Sequence, residues 1–487
     1  MTQKFTWIIF GFVMAIFAII LATTPFPPAG DIVEYYGITE SLLNHGGFQL
    51  TQTDQENLEK ILHPEYFHDP GYYIPGHDGQ RYPVHFVFYS VLVLPARIFL
   101  QSFGFNPLNA LPVTNLIIFA ATLITVCRLF LKTAFRQVVF LVTATLSPLI
   151  FFLSWPGPDI YYVCLLLLAA FFFISDRYFA AAIAATLASW HSQPLLLLTA
   201  GIAGYYAYMH SSSIFAYKKV HFNTSVQTII KTLFILSLAV IPYLFNQVIF
   251  GTLTPWTILQ DGWTQMNGFG VQNMSLQKLY EQFFDLNMGL FWYAPVLVIA
   301  GIWTAIVIGR KDKRIFFLFL FLLITAFFYQ TNPAWHYGTS GYGPSRHVLF
   351  ILPFLIYIFV TSAKPTLKYI MLLAGFALVQ IPILIFNGFL VPSFSNTHYH
   401  TPYAQYILNN FPQLYNPTPE IFVDRTNHSD LTYITSAFYK YNNVCKKAFV
   451  LLKDKELLRN ECGFIPAGYE EKIDHPKDML RGVYVTY

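Results

Sequence analysis

Charge is what this sequence has least of. Only 11% of its 487 residues are Asp, Glu, Lys or Arg, too few to clothe an ordinary globular surface in water. Basic and acidic residues nearly balance at 29 against 25, and the net charge of +4 is scattered through short loops, so nothing points to nucleic acid as a partner. Cysteine is scarce too, at four. Cys127 and Cys164 lie in apolar runs as packing residues, whereas Cys445 and Cys462 lie in a polar tail, where an extracytoplasmic location would permit a disulfide. Neither pair has metal-site spacing. The alternating pattern of a membrane barrel is missing, and so is the internal repeat that an inverted-repeat transporter would carry.

Hydrocarbon is what remains. The chain is 55% hydrophobic with a mean hydropathy of +0.48, and it reads as an integral membrane protein. Apolar segments long enough to cross about 30 Å of hydrocarbon, roughly 20 residues as a helix, recur along it. The first, "FTWIIFGFVMAIFAIILATT", lacks a small-residue cleavage site, reads as a retained helix and stops at "PFPPAG". Others lie near 111–131, 137–153, 159–174, 178–190, 194–209, 232–250, 289–308, 315–331, 346–362 and 369–390. The segment 84–99 is expected to be embedded or re-entrant and interrupted at Pro95, which leaves about eleven spans; full crossing is the alternative.

Basic residues set the orientation. Arg128, Lys132 and Arg136, then Arg177, Lys218, Lys219 and Lys231, "RKDKR" at 310–314, and Lys364 with Lys368 occupy every second connection. Those loops are cytoplasmic by the positive-inside rule, with the N-terminus. The loop 25–83, the turns 155–159 and 190–194, the loop 251–288, the stretch 332–345 and the tail from 391 are then outside.

These outer segments hold the polar chemistry. "GDIVEYYGITESLLNHGGFQL", residues 30–50, puts Asp31 near the end of the first helix and continues with helical spacing of apolar residues, as for a helix on the membrane surface. Asp31 there would face outward at the interface, or cap the helix that follows. The loop also crowds His63, His68, Asp69, His77, Asp78 and His85, residue types that bind metal, without the single-face spacing of a zinc signature. His68, Asp69, His77 and Asp78 are weak candidate ligands for a divalent cation. Asp159 stands at the mouth of a helix after Pro-Gly-Pro, and His191 at a break between apolar runs. "NPAWHYGTSGYGPSRHVLF", residues 332–350, joins glycines that admit close approach, Trp335, Tyr337 and Tyr342 as sugar-stacking rings, and Arg346 as a phosphate clamp or a snorkelling interfacial cation.

The combination resembles the GT-C superfamily of polyprenyl-phosphate-sugar-dependent glycosyltransferases, of the protein mannosyltransferase and aminoarabinose transferase type. The resemblance rests on "GDIVEYYGITESLLNHGGFQL", on "DGQRYPVHFVFYSVLVLPA" at 78–96, on "FFDLNMGLFWYAPVLVIAG" at 283–301 and on "WHYGTSGYGPSRHVLFILPFL" at 335–355. Members often carry two successive acids where this chain has Asp31 and Ile32 with Glu34 farther on, and a basic residue where it has His191.

The resemblance implies an all-α polytopic fold: a membrane catalytic domain over 1–390, interfacial helices within 25–83, and a small extracytoplasmic lobe over 391–487. It implies transfer of a sugar from a polyprenyl-phosphate donor to a glycan, glycolipid or other acceptor outside a bacterial inner or plasma membrane. Asp31 would be the base, Arg346 and His191 would hold the donor phosphate, and Glu34, Asp159, Trp335, Tyr337 and Tyr342 would position acceptor or sugar. The competing readings are a transporter or lipid flippase, and a polysaccharide polymerase or ligase.

Overall fold

A computed structural model describes residues 3–24, 31–62, 73–216, 222–253, 270–332, 334–336, 343–391, 398–429, 434–451, 454–469 and 482–487. The chain is mostly helical, at 70%. Its helices are α1 (Gln3–Thr23), α2 (Ile32–His45), α3 (Gln52–Ile61), α4 (Phe88–Ser102), α5 (Ala110–Leu129), α6 (Ala134–Thr145), α7 (Asp159–Ile174), α8 (Tyr178–Ser189), α9 (Leu196–Ala216) and α10 (Phe222–Phe250). There follow α11 (Leu276–Phe284), α12 (Leu290–Tyr293), α13 (Pro295–Gly309), α14 (Lys313–Tyr329), α15 (Leu352–Thr361), α16 (Leu367–Phe386), α17 (Pro402–Asn410), α18 (Pro419–Asn427) and α19 (Lys455–Cys462).

Two compact units emerge. One comprises Met1–Thr264, Val296–Phe328 and Leu349–Pro392; the other Gln265–Pro295, Tyr329–Val348 and Ser393–Tyr487.

In the first unit, four helices among the described residues are long and apolar enough to cross a membrane: Thr6–Thr23, Pro107–Leu129, Val226–Phe250 and Leu367–Phe386. They turn apolar side chains such as Ile8, Phe12, Leu233, Val248, Leu378 and Ile385 outward, a surface that hydrocarbon accepts and water does not. Shorter apolar helices include α4, α6, α7, α8 and α13. Sequence punctuation explains their lengths. The apolar run 137–153 breaks because Ser147 and Pro148 start a 3-10 turn, Pro148–Phe152, whose members are all buried. Twelve of the sixteen residues of α7 are buried, where it packs on α5, α8 and α15. Gly301 lets α13 approach α15 closely, since a Cβ there would lie 2.4 Å from a Leu355 methyl.

Two expectations are corrected here. Helix α2 is no surface helix: its ten residues from Ile32 to Ser41 are all buried. The polar ones are tolerated because each glutamate meets a partner, Glu40 taking two bonds from Arg97 at 2.5 and 3.1 Å. Helix α4 runs through Pro95 without interruption. Proline removes one backbone donor, and Arg97, two residues on, is fastened to α2 by that same ion pair.

The all-helical expectation is also incomplete. The loop after α3 forms a hairpin of β1 (Tyr73–Pro75) and β2 (Arg81–Pro83). In the second unit, β3 (Ala437–Tyr441), β4 (Val444–Leu451) and β5 (Gly482–Thr486) make an antiparallel sheet in that order. Asn442 and Asn443, at φ of 50° and 60°, supply the two left-handed positions that a tight hairpin needs. Leu408, Phe422, Ala437 and Phe449 pack in one cluster with α17 and α18, while Ala448, Val450, Val485 and Leu458 of α19 form another.

Cys445 and Cys462 are joined in a disulfide that ties β4 to α19. It spans 17 residues of sequence. Cys127 and Cys164 are free and buried. Reduction, or Cys445→Ser, is expected to destabilise the second unit by about 3 kcal/mol, the loop-closure effect of a ring of this size. Limited proteolysis in detergent should then cut residues 393–487 sooner in the reduced protein; equal resistance would contradict the effect.

Candidate functional site

Each unit buries its own polar cluster. In the first, the cluster forms where the start of α2, the entry to α4, the 154–159 turn and the α8–α9 break converge. Glu34, fully buried, accepts from both the backbone N–H and ring Nδ1 of His85 at 2.5 Å, so both of its oxygens are occupied inside the protein. Tyr73 donates to the Glu34 carbonyl at 3.1 Å, pinning the β1–β2 hairpin to α2. Ser90 donates to the Tyr35 carbonyl at 2.9 Å, pinning α4 to α2.

Tyr89 is the centre of this cluster. Its backbone N–H donates to His191 Nε2 at 3.0 Å, and its hydroxyl donates to Asn115 Oδ1 at 2.8 Å. Asn115 in turn donates to the Trp155 carbonyl at 2.9 Å. Asp159 begins α7, is buried, and takes a hydrogen bond from the Tyr162 hydroxyl.

His191, an expected contact to the donor phosphate, would make that contact without charge. Burial first, and His85 nearby second, push its pKa down to about 3, so the ring is neutral. An acceptor Nε2 puts the proton on Nδ1, a buried donor with no protein partner. Rings of Tyr35, Phe86, Tyr89 and Tyr161 stand 5.5 to 6.2 Å from the imidazole. A neutral N–H among aromatic rings offers a ligand oxygen a hydrogen bond without charge.

Asp31 occupies the N-cap position of α2, where its carbonyl accepts from the Glu34 and Tyr35 N–H groups, yet its side chain makes no capping bond. It is half-buried. Glu34, Asp159 and His191 thus share one neighbourhood, with Asp31 one turn of helix ahead of Tyr35. Sequence reasoning missed Tyr89 and Asn115, polar residues inside apolar runs, and noticed His85 only as one of a crowd.

The second unit holds the described residues among 332–348 differently from expectation. Trp335 is no stacking platform: it is fully buried, with the Lys278 ammonium 5.4 Å from its ring centre and Ser345 donating to its carbonyl at 2.9 Å. Lys278 is paired to Glu420 at 2.6 Å, and His336 to Asp424 at 2.6 Å. Arg346 is half-buried at the start of a 3-10 turn, Arg346–Ile351, that leads into α15. Tyr337 and Tyr342 lie outside the described residues.

The same holds for His63, His68 and Asp69. His77 bonds the Ile249 carbonyl of α10 at 2.8 Å, and Asp78 accepts from the Gln80 N–H at 3.0 Å and the Tyr82 hydroxyl at 2.8 Å, so the first fastens the hairpin to α10 and the second shapes its turn. Among the described residues no group of three or more His, Cys, Asp or Glu side chains could hold a metal ion. Compared with protein-family models, curated proteins and solved structures, the chain matches none.

A carboxylate pair dominates the second unit. Glu281 accepts from the Thr418 N–H and hydroxyl, both at 2.8 Å, and Asp285 accepts from the Tyr415 hydroxyl at 2.7 Å. Burial, reinforced by Asp285, raises the Glu281 pKa to about 7; burial raises Asp285 too. Between the ordinary glutamate value and pH 7 the native state therefore binds more protons than the unfolded chain, so Glu281 makes stability fall as pH rises through that window. Glu281→Gln should flatten the fall by up to about 3 kcal/mol, at 1.36 kcal/mol per pKa unit. Unfolding midpoints measured from pH 4.5 to 8 test this; an unchanged slope would refute it.

Proposed function

We propose that the chain is an integral-membrane glycosyltransferase of the GT-C type, moving a sugar from a polyprenyl-phosphate donor to a glycan, glycolipid or other cell-surface acceptor. Its site would face the extracytoplasmic side of a bacterial inner or plasma membrane, with the N-terminus cytoplasmic and the shorter apolar helices bringing the spans to about eleven. The disulfide fits that placement, since such bonds persist in oxidising compartments.

One observation carries the reading. Of the three acids in the first unit's cluster, Glu34 and Asp159 are buried, while Asp31, at the start of α2, is only half-buried and so the one within reach of an incoming hydroxyl. Asp31 is the base in this scheme. It takes the proton from the acceptor hydroxyl as that oxygen attacks the anomeric carbon; the carbon–oxygen bond to phosphate breaks, and polyprenyl phosphate leaves with the electron pair. A single displacement inverts the anomeric configuration. His191 contributes a neutral N–H toward a donor or acceptor oxygen, and Arg346 keeps its assignment to the phosphate on the strength of the sequence.

A transporter or lipid flippase is favoured by one different observation, the buried Glu40–Arg97 pair, since paired charges within membrane segments often line a transport path. Asp31→Asn separates the two. With expression normal, transfer should fall by at least about 10²-fold, the usual weight of a general base. Mass spectrometry of surface glycans and lipid-linked sugars should find one glycan short of a single sugar and the matching polyprenyl-phosphate sugar accumulated. Unchanged glycans and lipid pools would remove Asp31 as base and bring the transporter forward, and a product with the donor's anomeric configuration would end the single-displacement scheme.

A further inference from the structure

Helix α11 is amphipathic the wrong way round for a helix in water. Its two charged residues, Lys278 and Glu281, point inward and are 8% and 4% exposed, and Gln282 is fully buried. The outward positions are Leu276, Tyr280 and Phe284, at i, i+4 and i+8, together with the uncharged Gln277; Leu276 is 77% and Tyr280 62% exposed. The inverted arrangement is stable because the second unit supplies the polar partners: Glu420 for Lys278, and Thr418 for Glu281.

The outward stripe continues as a run of rings. Tyr280 meets Phe284 at 5.1 Å, Phe284 meets Phe291 at 5.9 Å, Phe291 meets Trp292 at 5.3 Å, and Trp292 stacks on Tyr403 of α17 at 5.5 Å. The Trp292 indole N–H is satisfied within the unit by the Phe284 carbonyl at 3.2 Å, which leaves the ring's apolar body to face outward.

We propose that this face, from Leu276 through Tyr403, lies in the headgroup region of the bilayer and seats the second unit on lipid. Three features select lipid over a protein partner. The face mixes Tyr, Trp, Phe and Leu, the amphipathic and apolar set of a membrane–water interface. Helix α11 exposes no charged side chain, and its exposed Gln277 amide is bonded within the unit to Glu281 and the Asn416 carbonyl, whereas a docking surface for a soluble partner normally carries a polar rim. The chain itself supplies the tether: Trp292 stands three residues before Pro295, where the apolar helix α13 begins, a reach of about 10 Å even if fully extended. The inference concerns the lobe's seat alone and does not depend on which reaction the protein performs.

Spin-label accessibility tests it in the full chain. Leu276→Cys and Tyr280→Cys, each labelled and reconstituted in phosphatidylethanolamine–phosphatidylglycerol vesicles, are compared with Glu456→Cys on α19 as the aqueous reference. The native thiols do not interfere, since Cys127 and Cys164 are buried and Cys445 is bonded to Cys462. The ratio of collisions with oxygen to those with a water-soluble nickel chelate should be several-fold higher at 276 and 280 than at 456. Aqueous behaviour at 276 and 280 overturns the proposal. So does shielding from both reagents, which would place protein, from this chain or a second copy, against the face.

Discussion

A charge drawn out of water must meet its partner inside the protein, and helix α2 is where that rule bears hardest. Ten of its residues in succession are buried, and Glu34 and Glu40 are among them. Each is answered by a side chain from more than fifty residues downstream, Glu34 by His85 and Glu40 by Arg97. Breaking either would strand a carboxylate in a low-dielectric interior, which costs several kcal/mol, so α2 and α4 have one mutual register available. That register sets everything nearby. It holds Asp31 at the helix end, turns the Tyr89 N–H onto His191, and leaves the imidazole neutral among aromatic rings.

The second unit obeys the same rule with different material. Helix α11 hides a lysine and a glutamate, and Asp285 follows at its end; Glu420, Thr418 and Tyr415 come from more than a hundred residues away to satisfy them. Satisfying the polar side inward is what frees the other side to be apolar. The inverted helix and the aromatic stripe are two results of one arrangement.

Much of this was legible in the sequence, because its signals are local. Low charge and recurrent apolar runs pointed to a mostly helical chain with helices able to cross a membrane, and the cysteine pair in the polar tail permitted the bridge, whereas the break at Pro148 fell inside a run read as continuous. The failures share a cause. Residues 32–45 carry apolar residues at surface-helix spacing, and only the distant His85 and Arg97 show that the polar positions are buried rather than wet. Trp335 and His191 were read by residue type, yet what decides their roles is enclosure: Lys278 and Ser345 around one, His85 and four aromatic rings around the other. The β3–β4 hairpin could have been found, since Asn442-Asn443 between two runs rich in Tyr, Phe and Val is a hairpin signature. It was overlooked because helical expectation from the membrane part was carried into the tail.

The second unit is assembled from three separated stretches, 265–295, 329–348 and 393–487. A ribosome delivers the first of these long before the last, so α11 emerges with Lys278, Glu281 and Asp285 awaiting groups not yet made. Until Tyr415, Thr418 and Glu420 arrive, the helix cannot hide its charges and still turn its rings outward. The unit is therefore complete only once the tail has been made and packs against the two earlier segments. The last fifth of the chain is a keystone of the unit rather than an appendage to it.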